Sequence, residues 1–408
     1  MMESMNSAVS GLGAQQTEMD VIGNNIANVN TIGFQASSTV FEEAMAQTLE
    51  GSDAPNGQTG GTNPQQVGLG VTVGTIAVSQ TQGALQTTGT NTDLAIDGSG
   101  FFVLGQGSQQ YYTRNGSFGL DSQSNLVDPS NGMHVLGWQA NSSGAVNSNA
   151  PVTPIQIPLG DTIIAKASAS AVMQGNLDAG TAVAGTVTAA VNLYDSLGNP
   201  NSVTFTFTNT ASDAWSWTAA GTGITVGAAN QGTLTFNSTG ALTGSTGALQ
   251  IVNATGAATP QAVAVDFSKM TQFASANTAS PMSQDGYASG TLTTFTIGQD
   301  GTISGTYSNG VNQSIGQVAL GTFSNPGGLI MTADSLYQSS SNSGSVDIGT
   351  PEAAGRGSIQ SGSLEMSNVN LADEFTTMVT TERAYQANSK VITVCDELLQ
   401  DLINMQRS

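Results

Sequence analysis

Any catalytic chemistry in this chain would have to be built from one histidine and a few pairs of carboxylates. His134 is the only histidine among 408 residues, so a catalytic triad or an imidazole metal site would rest on it alone. Asp93 and Asp97 are close in sequence, as are Asp373 and Glu374, and paired carboxylates can support glycosidase chemistry. However, the first pair flanks a strand-like run, and the second falls in the first turn of a predicted helix, where the helix dipole favours anions. The sequence therefore predicts no catalytic residues and no enzymatic activity.

Metal and thiol chemistry have little support either. Residues 121–125, Asp-Ser-Gln-Ser-Asn, resemble part of a calcium loop but lack its closing glutamate. Cys395 is the only cysteine, so no intrachain disulfide can form. An intermolecular bridge or a reactive thiol is the alternative interpretation, but a small apolar residue on a helix is favoured. We expect no cofactor and no metal site.

The charge of the chain excludes two classes of partner. Lys and Arg together number 7 against 28 Asp and Glu, which gives a net charge of −21. Nucleic-acid binding needs clustered cations, and anionic membranes attract basic segments, so neither is an expected partner of this acidic chain.

The N-terminus lacks the basic and apolar regions of a signal peptide, and no apolar run is long enough for a membrane span. We expect no membrane insertion and, if the protein leaves the cell, export without a cleaved leader.

Apolar residues at helical spacing mark both ends of the chain. They predict one helix over residues 4–29 and another from Leu371 to Met405, each with a single apolar stripe. We predict that these stripes, with the Asn-rich end of the first helix, form an assembly interface. Its residues are Val9, Leu12, Met19, Ile22, Asn24, Asn25, Ile26, Asn28, Leu371, Phe375, Met378, Tyr385, Val391, Val394, Leu398 and Leu402.

The stripes have an alternative interpretation, in which both helices simply pack on β domains as ordinary core. The C-terminal helix would be about 50 Å long at 1.5 Å per residue, which exceeds what a small β domain can cover. Pairing of the two helices is therefore favoured.

The residues between the helices have the patterns of β-structure. Apolar residues alternate with Thr in 203–208 and 232–236, as in half-buried antiparallel strands. Three dipeptides are of the type found in hairpin turns: Asp97-Gly98, Asn115-Gly116 and Asn131-Gly132. We expect a short helix at 39–49 and a linker at 141–160, where Asn, Ser, Gly and Pro accumulate.

The predicted fold class is mixed but mainly β, with discontinuous, nested all-β domains and terminal α-helices that pair as a coiled coil. Four parts are expected. They are a terminal helical domain (1–34 and 364–408), a connecting segment (35–70 and 351–363), an inner β domain (71–150 and 285–350) and an inserted outer β domain (151–284).

Several motifs resemble those of the flagellar axial protein family, whose members build rod, hook and junction. The run Asn24 to Phe34, NNIANVNTIGF, is similar to the family's N-terminal signature. Residues 363–370 and 382–388 resemble its C-terminal signature, and 93–102 with 112–118 resemble a strand motif of rod and hook members.

Further segments resemble the hook members in particular. They are residues 194–200, 283–287, 307–310 and 315–320. Rod members are also shorter, because they lack an insertion like 151–285.

The resemblance implies a hook subunit in a helical, tubular homopolymer that acts as a flexible universal joint and transmits motor torque from rod to filament. It implies that the terminal helices form an inner tube and the β domains outer layers. The partners that it implies are other copies of the chain, the distal rod protein, the hook cap, the hook–filament junction proteins and the flagellar export apparatus. The location that it implies is the hook and basal body of the flagellum, outside the cell. A distal rod protein or another axial protein is an alternative, and a secreted β-rich adhesin is an alternative of another class.

Overall fold

The chain forms two compact units that are each discontinuous in sequence. In this computed structural model the described residues are 2–52, 54–55, 60–107, 109–221, 224–226, 230–253 and 256–405. Unit 1 comprises Met1–Ile157, Thr296–Ser304 and Ser314–Ser408, and unit 2 comprises Pro158–Phe295 and Gly305–Gln313. Residue 1 and residues 406–408, which the predicted helical domain includes, lie outside the described residues.

Two long helices occupy the ends of the described chain. Helix α1 spans Met2–Ala27 and helix α2 spans Leu371–Met405, and both belong to unit 1. The first turn of α2 is capped by Asn370, whose Oδ1 accepts a hydrogen bond from the backbone N of Ala372 at 3.1 Å. The helices pack against each other, and strands make up 44% of the structure. The predicted fold class, mainly β with paired terminal helices, is confirmed.

The strands of unit 1 surround a core of large apolar side chains that includes Leu94, Ile96 and Phe102. The strands before unit 2 are β1 (Ser37–Glu43), β2 (Ala46–Glu50), β3 (Gln65–Gly68), β4 (Val71–Val78), β5 (Leu85–Thr87), β6 (Leu94–Asp97), β7 (Phe101–Gln106), β8 (Gln109–Thr113), β9 (Gly119–Leu120), β10 (Leu126–Val127), β11 (His134–Gln139) and β12 (Thr153–Pro154).

Unit 2 contributes the next strands along the chain. They are β13 (Thr162–Ile163), β14 (Ser170–Asn176), β15 (Thr186–Tyr194), β16 (Pro200–Ala211), β17 (Ala214–Gly221), β18 (Ile224–Val226), β19 (Gln231–Phe236), β20 (Leu242–Ser245), β21 (Leu249–Asn253), β22 (Gln261–Thr271) and β23 (Ser280–Gln284).

The remaining strands return the chain to unit 1. Strands β24 (Gly290–Ile297), β25 (Thr302–Tyr307) and β26 (Asn312–Val318) carry residues of both units. The last strands are β27 (Leu320–Thr322), β28 (Ile330–Met331), β29 (Leu336–Gln338), β30 (Asp347–Gly349), β31 (Ser358–Ser361) and β32 (Ser363–Glu365).

Late strands of unit 1 pair with early ones, which brings the two chain ends together. Strand β31 pairs with β6, and β32 pairs with β5, both antiparallel. Strand β7 lies centrally, since it pairs with β8, β11 and β27. This pairing places the segment that leads to α2 beside β5 and β6, which lie in the first part of the chain.

Unit 2 contains two five-stranded sheets that share one apolar core. Their strand orders are β18-β21-β22-β14-β23 and β15-β16-β17-β19-β20. Phe205 from β16 and Trp217 from β17 face Phe267 from β22, with ring centroids 6.3 and 5.5 Å away. Because the apolar residues alternate with Thr and Ser along β16, one face of the sheet is buried and the other is polar, as predicted.

The prediction of a short helix at 39–49 is wrong. Most of this segment lies in β1 and β2; β1 pairs antiparallel with β4, and β2 pairs with β3. Branched residues such as Thr39 and Val40 suit a strand, and the pairing partners at 65–78 override the weak helical pattern.

Two other expectations are corrected. Of the three turn dipeptides, only Asn131-Gly132 joins strands that pair with each other, β10 and β11. Asp97-Gly98 joins β6 to β7, and Asn115-Gly116 joins β8 to β9, and the joined strands do not pair with each other. At these two places pairing with strands elsewhere in the chain overrides the local turn signal. The segment 141–160 is not a free linker, because β12 pairs with β11 and Ile155 and Ile157 are fully buried.

We expect Gly33→Ala to destabilise unit 1. Gly33 has φ +66°, and an added Cβ would lie 2.5 Å from the backbone N of Asn115. Strain of this kind costs about 1–3 kcal/mol before the clash is counted. The measurement is chemical denaturation of the β-structure.

The matched control for this change is Gly107→Ala. Gly107 has nearly the same φ, +64°, but nothing lies within 4 Å of its added Cβ. Equal losses of stability in the two variants would contradict the role assigned to the close contact at Gly33.

Candidate assembly interface

The two terminal helices form an antiparallel pair with a polar line of contact. Each step of seven residues along α1 is matched by a step of seven residues back along α2, so four pairs of residues face each other. We call this line the polar seam. Its residues are Ser4, Gly11, Glu18 and Asn25 of α1, with Cys395, Asn388, Thr381 and Glu374 of α2, in that order of pairing.

The two pairs nearest the β strands are joined by side-chain hydrogen bonds. Nδ2 of Asn25 donates to Oε1 of Glu374 at 2.9 Å, and Oγ1 of Thr381 donates to Oε2 of Glu18 at 2.9 Å. Asn25 is 1% exposed and Thr381 is 3% exposed. Buried polar groups that are paired in this way fix the alignment of two helices but contribute less to stability than an apolar contact of the same size.

The two outer pairs depend on small residues. Gly11 allows a close approach, since a Cβ at this position would lie 2.7 Å from Nδ2 of Asn388. Further along, Oγ of Ser4 lies 3.6 Å from Sγ of Cys395, whose side chain is buried. The favoured interpretation of Cys395, a small residue packed on a helix, agrees with this position.

Large apolar side chains of α2 remain exposed although the helix is paired with α1. We call them the outer stripe. Its residues are Leu371, Phe375, Val379, Tyr385, Val391, Val394, Leu398, Leu402, Ile403 and Met405. Phe375 and Leu402 are each 52% exposed, and Leu398 is 49% exposed. So many exposed apolar residues on one helix mark a surface for another protein.

The structure divides the predicted interface residues by their exposure. Those exposed are Val9, Asn24, Leu371, Phe375, Tyr385, Val391, Val394, Leu398 and Leu402. Those half-buried are Leu12, Met19, Ile26, Asn28 and Met378. Ile22 and Asn25 are buried within the subunit.

Sequence reasoning missed most of the polar seam. Gly11, Glu18, Thr381 and Asn388 were not among the predicted site residues, because none of them carries a large apolar side chain. The available signal was the repeat of small or polar residues at seven-residue intervals in both helices.

The segment after α1 and the segment before α2 meet at one buried ion pair of unit 1, between Arg114 and Glu365. Oε2 of Glu365 lies 3.1 Å from Nη1 of Arg114, and both side chains are at most 5% exposed. Oε1 of Glu365 accepts the backbone N of Gly83 at 2.9 Å, and its backbone O accepts the N of Gly33 at 2.8 Å. Nη2 of Arg114 donates to the backbone O of Gly98. A buried pair needs such extra hydrogen bonds to offset its desolvation.

Burial raises the pKa of Glu374 above its ordinary value of 4.5. The hydrogen bond from Asn25 acts in the opposite direction, and the neighbouring carboxylate of Asp373 adds to the rise. A half-buried carboxylate with a raised pKa at a helix contact makes the pairing of the helices sensitive to pH.

The residues that could have done chemistry have structural roles. His134 begins β11, and Asp97 ends β6. Asp121 accepts the backbone N of Asn125 at 2.8 Å and its side-chain Nδ2 at 2.9 Å, and these hydrogen bonds lower the pKa of Asp121. Within the described residues no group of three or more His, Cys, Asp or Glu side chains is placed to hold a metal ion.

Neither of the helices in the described ranges combines the length and apolarity needed to cross a membrane.

Family models match four parts of the chain. The "Flagella basal body rod protein" model matches residues 5–35, and "Flagellar basal body rod FlgEFG protein C-terminal" matches 360–405. "Flagellar hook protein FlgE/F/G D1 domain" matches 95–173, and "Flagellar basal body protein FlaE D2 domain" matches 160–287.

Curated relatives match the chain from end to end. The flagellar hook proteins FlgE of Borreliella burgdorferi and Treponema pallidum are each 38% identical to it, with 100% of both chains covered. The chain belongs to the flagellar hook protein family. A flagellar basal-body rod protein, FlgG of Bacillus subtilis, is 30% identical, also over 100% of both chains.

A solved structure supports the fold of this hook-family chain. The flagellar hook protein FlgE2 of Helicobacter pylori has a TM-score of 0.53 and covers 67% of this chain and 99% of its own. At 15% identity this likeness concerns the fold alone.

We expect Ser4→Cys to form an intrachain disulfide with Cys395 under mild oxidation. The two side-chain atoms are 3.6 Å apart when the helices pair in the observed register, and a disulfide requires such proximity. Non-reducing electrophoresis after cleavage between the two positions measures the linkage. Glu3→Cys is the control, because the next residue on a helix points in another direction. Equal linkage from positions 3 and 4 would contradict the register.

We expect Glu374→Gln to stabilise the helix pair at neutral pH. The folded pKa is raised, so the contribution of Glu374 is complete below pH 4.5 and is lost as pH rises through the folded value. The amide of Gln keeps an oxygen that accepts the hydrogen bond from Asn25. Because the amide carries no charge at these pH values, the loss of stability with rising pH disappears. The thermal stability of the assembled protein between pH 4 and 7 tests this, with exposed Glu382→Gln as control. An unchanged pH profile in Glu374→Gln would refute the assignment.

Proposed function

We propose that this hook-family chain is the structural subunit of the flagellar hook, and that the outer stripe of α2 joins neighbouring copies in a helical tube. Full-length similarity to proteins named as flagellar hook proteins supports the subunit role. The single observation that carries the assembly surface is that the outer stripe is exposed while Asn25 and Thr381 of the polar seam are buried within the subunit.

The energetics favour a contact between copies along this surface. Covering one large apolar side chain contributes about 1.5–3 kcal/mol. The polar seam offers little of this, so the helix pair gains most of its apolar burial from neighbours. Helices that are marginal alone become stable in such an assembly.

In this proposal the paired helices form an inner tube and the β units form outer layers that slide as the hook bends. The outward faces of strands such as β15 and β16 carry Thr, Ser and Asn, which make wet contacts that can exchange partners with little cost. Such contacts suit a flexible joint that transmits torque.

The partners follow from this position between rod and filament. We propose contacts with the distal rod protein, the hook cap and the hook–filament junction proteins, and export through the flagellar apparatus without a cleaved leader. The family supports polymerisation into flagellar axial structures and a location in the flagellum.

A distal rod subunit is the second candidate, favoured by the end-to-end match to the Bacillus subtilis rod protein. Electron microscopy separates the two, since hook tubes bend and rod tubes are straight and stiff.

We expect Phe375→Ser and Leu398→Ser each to abolish tube formation while leaving the β units folded. Each change removes an exposed apolar side chain, so the monomer loses no core contact. Electron microscopy of concentrated protein and thermal melting of the β-structure are the measurements. Glu382→Gln, exposed on the same helix, is the control.

Removal of residues 371–408 gives the limiting case of the same change. The truncated chain should remain soluble and folded without assembling. Tubes formed normally by the truncated chain, or by either serine variant, would refute the assembly surface.

A further inference from the structure

The side chain of Asn25 lies where three elements meet. It sits near the end of α1, beside the first residue of β1 and against the first turn of α2. Its Nδ2 donates to the backbone O of Ser37 at 2.7 Å and to Oε1 of Glu374 at 2.9 Å, while its Oδ1 accepts the backbone N of Ser37 at 3.0 Å. All three hydrogen bonds lie within unit 1.

Only a short amide satisfies these partners together. Ser37 presents a donor and an acceptor, and the carboxylate of Glu374 requires a second donor. Aspartate has no donor, so it would face both the carbonyl of Ser37 and the carboxylate of Glu374 with negative oxygens. An apolar side chain would leave the polar groups of Ser37 unpaired in a buried place.

A second amide holds the same backbone segment from the other chain end. Oδ1 of Asn368, just before α2, accepts the backbone N of Ala36 at 2.7 Å. Its Nδ2 donates to the backbone O of Ser79 at 3.1 Å and of Thr81 at 2.9 Å. Residues 36 and 37 are therefore held by one asparagine from each end of the chain.

We propose that Asn25 is a positioning residue that fixes the direction in which the helix pair leaves the β strands of unit 1. It does so by joining the backbone of Ser37 to Glu374, so α1, β1 and α2 cannot turn independently. The proposal rests on the proposed function, because a regular tube needs every copy to project its helices in the same direction.

Exchange of the acid and the amide provides the test. Asn25→Asp places two carboxylates together. In the double variant, Asn25→Asp with Glu374→Gln, the amide at position 374 can donate to the carboxylate at position 25, so the hydrogen bond between the two positions is restored in the reverse direction. Asn6→Asp makes the same substitution at an exposed position of the same helix, outside the predicted interface, and is the matched control. All variants are prepared as the full-length chain.

We expect Asn25→Asp to lower the yield of tubes by at least about tenfold, because the loss of the hydrogen bond to the charged Glu374 alone can produce a change of this size and the bond to Ser37 is lost as well. The exchanged double variant should recover part of this yield, because it restores the contact with position 374 but leaves the carbonyl of Ser37 without its donor. Asn6→Asp should retain all of it. The melting of the β-structure should be the same in all four proteins, which separates positioning from a general loss of stability.

Three results would overturn the role of Asn25 alone while the unaltered chain still forms tubes. They are a normal yield from Asn25→Asp, a double variant no better than Asn25→Asp, and a melting temperature that falls in parallel with the yield. The failure of the unaltered chain to form tubes would instead refute the proposed function, and this role with it.

Discussion

The arrangement of the helices depends on the buried contact between Arg114 and Glu365. Glu365 uses its carboxylate to hold Arg114 and the backbone of Gly83, and its carbonyl to hold Gly33. The segment after the N-terminal helix, at Gly33, and the segment before the C-terminal helix, at Glu365, are thereby held at one point. Removing one partner of such a buried pair costs about 3–5 kcal/mol, because the other charge is left uncompensated. The antiparallel pairing of α1 and α2 is a consequence of this fixed starting point.

The helix pair distributes its interactions unevenly between the inside and the outside of the subunit. Inside, hydrogen bonds such as Thr381 to Glu18 specify alignment with little apolar burial. Outside, residues such as Phe375 and Leu398 remain exposed. A protein that associates through its helices can therefore keep the alignment within one subunit separate from the affinity between subunits. A fully apolar seam would bind more tightly but would specify its alignment less well.

Much of the architecture could be predicted from the sequence, and the limits have physical causes. The helical spacing of apolar residues located both helices, because this spacing indicates a helix face that is covered by another element or by another protein. The same method could not tell which face is covered within the subunit, since Gly11 and Thr381 carry no hydrophobic signal. The strands in 39–49 were mistaken for a helix because their pairing partners lie further along the chain, at 65–68 and 71–78. The motif at Asn24 to Phe34 gave the family, but the bonds of Asn25 to Ser37 depend on tertiary placement that no local pattern encodes.

The spacing of the polar seam has a consequence for the handedness of the inner layer. Contacts that repeat every seven residues do not match the 3.6 residues per turn of a straight helix, and the mismatch amounts to ~20° in each repeat. Helices that keep such a contact wind around each other in a left-handed sense. Over the three intervals between Asn25 and Ser4 the pair would turn through roughly 60°. A straight neighbour that packs along such a wound pair has to cross it obliquely. The twist of a tube built in this way is therefore encoded in the period of its least hydrophobic contact.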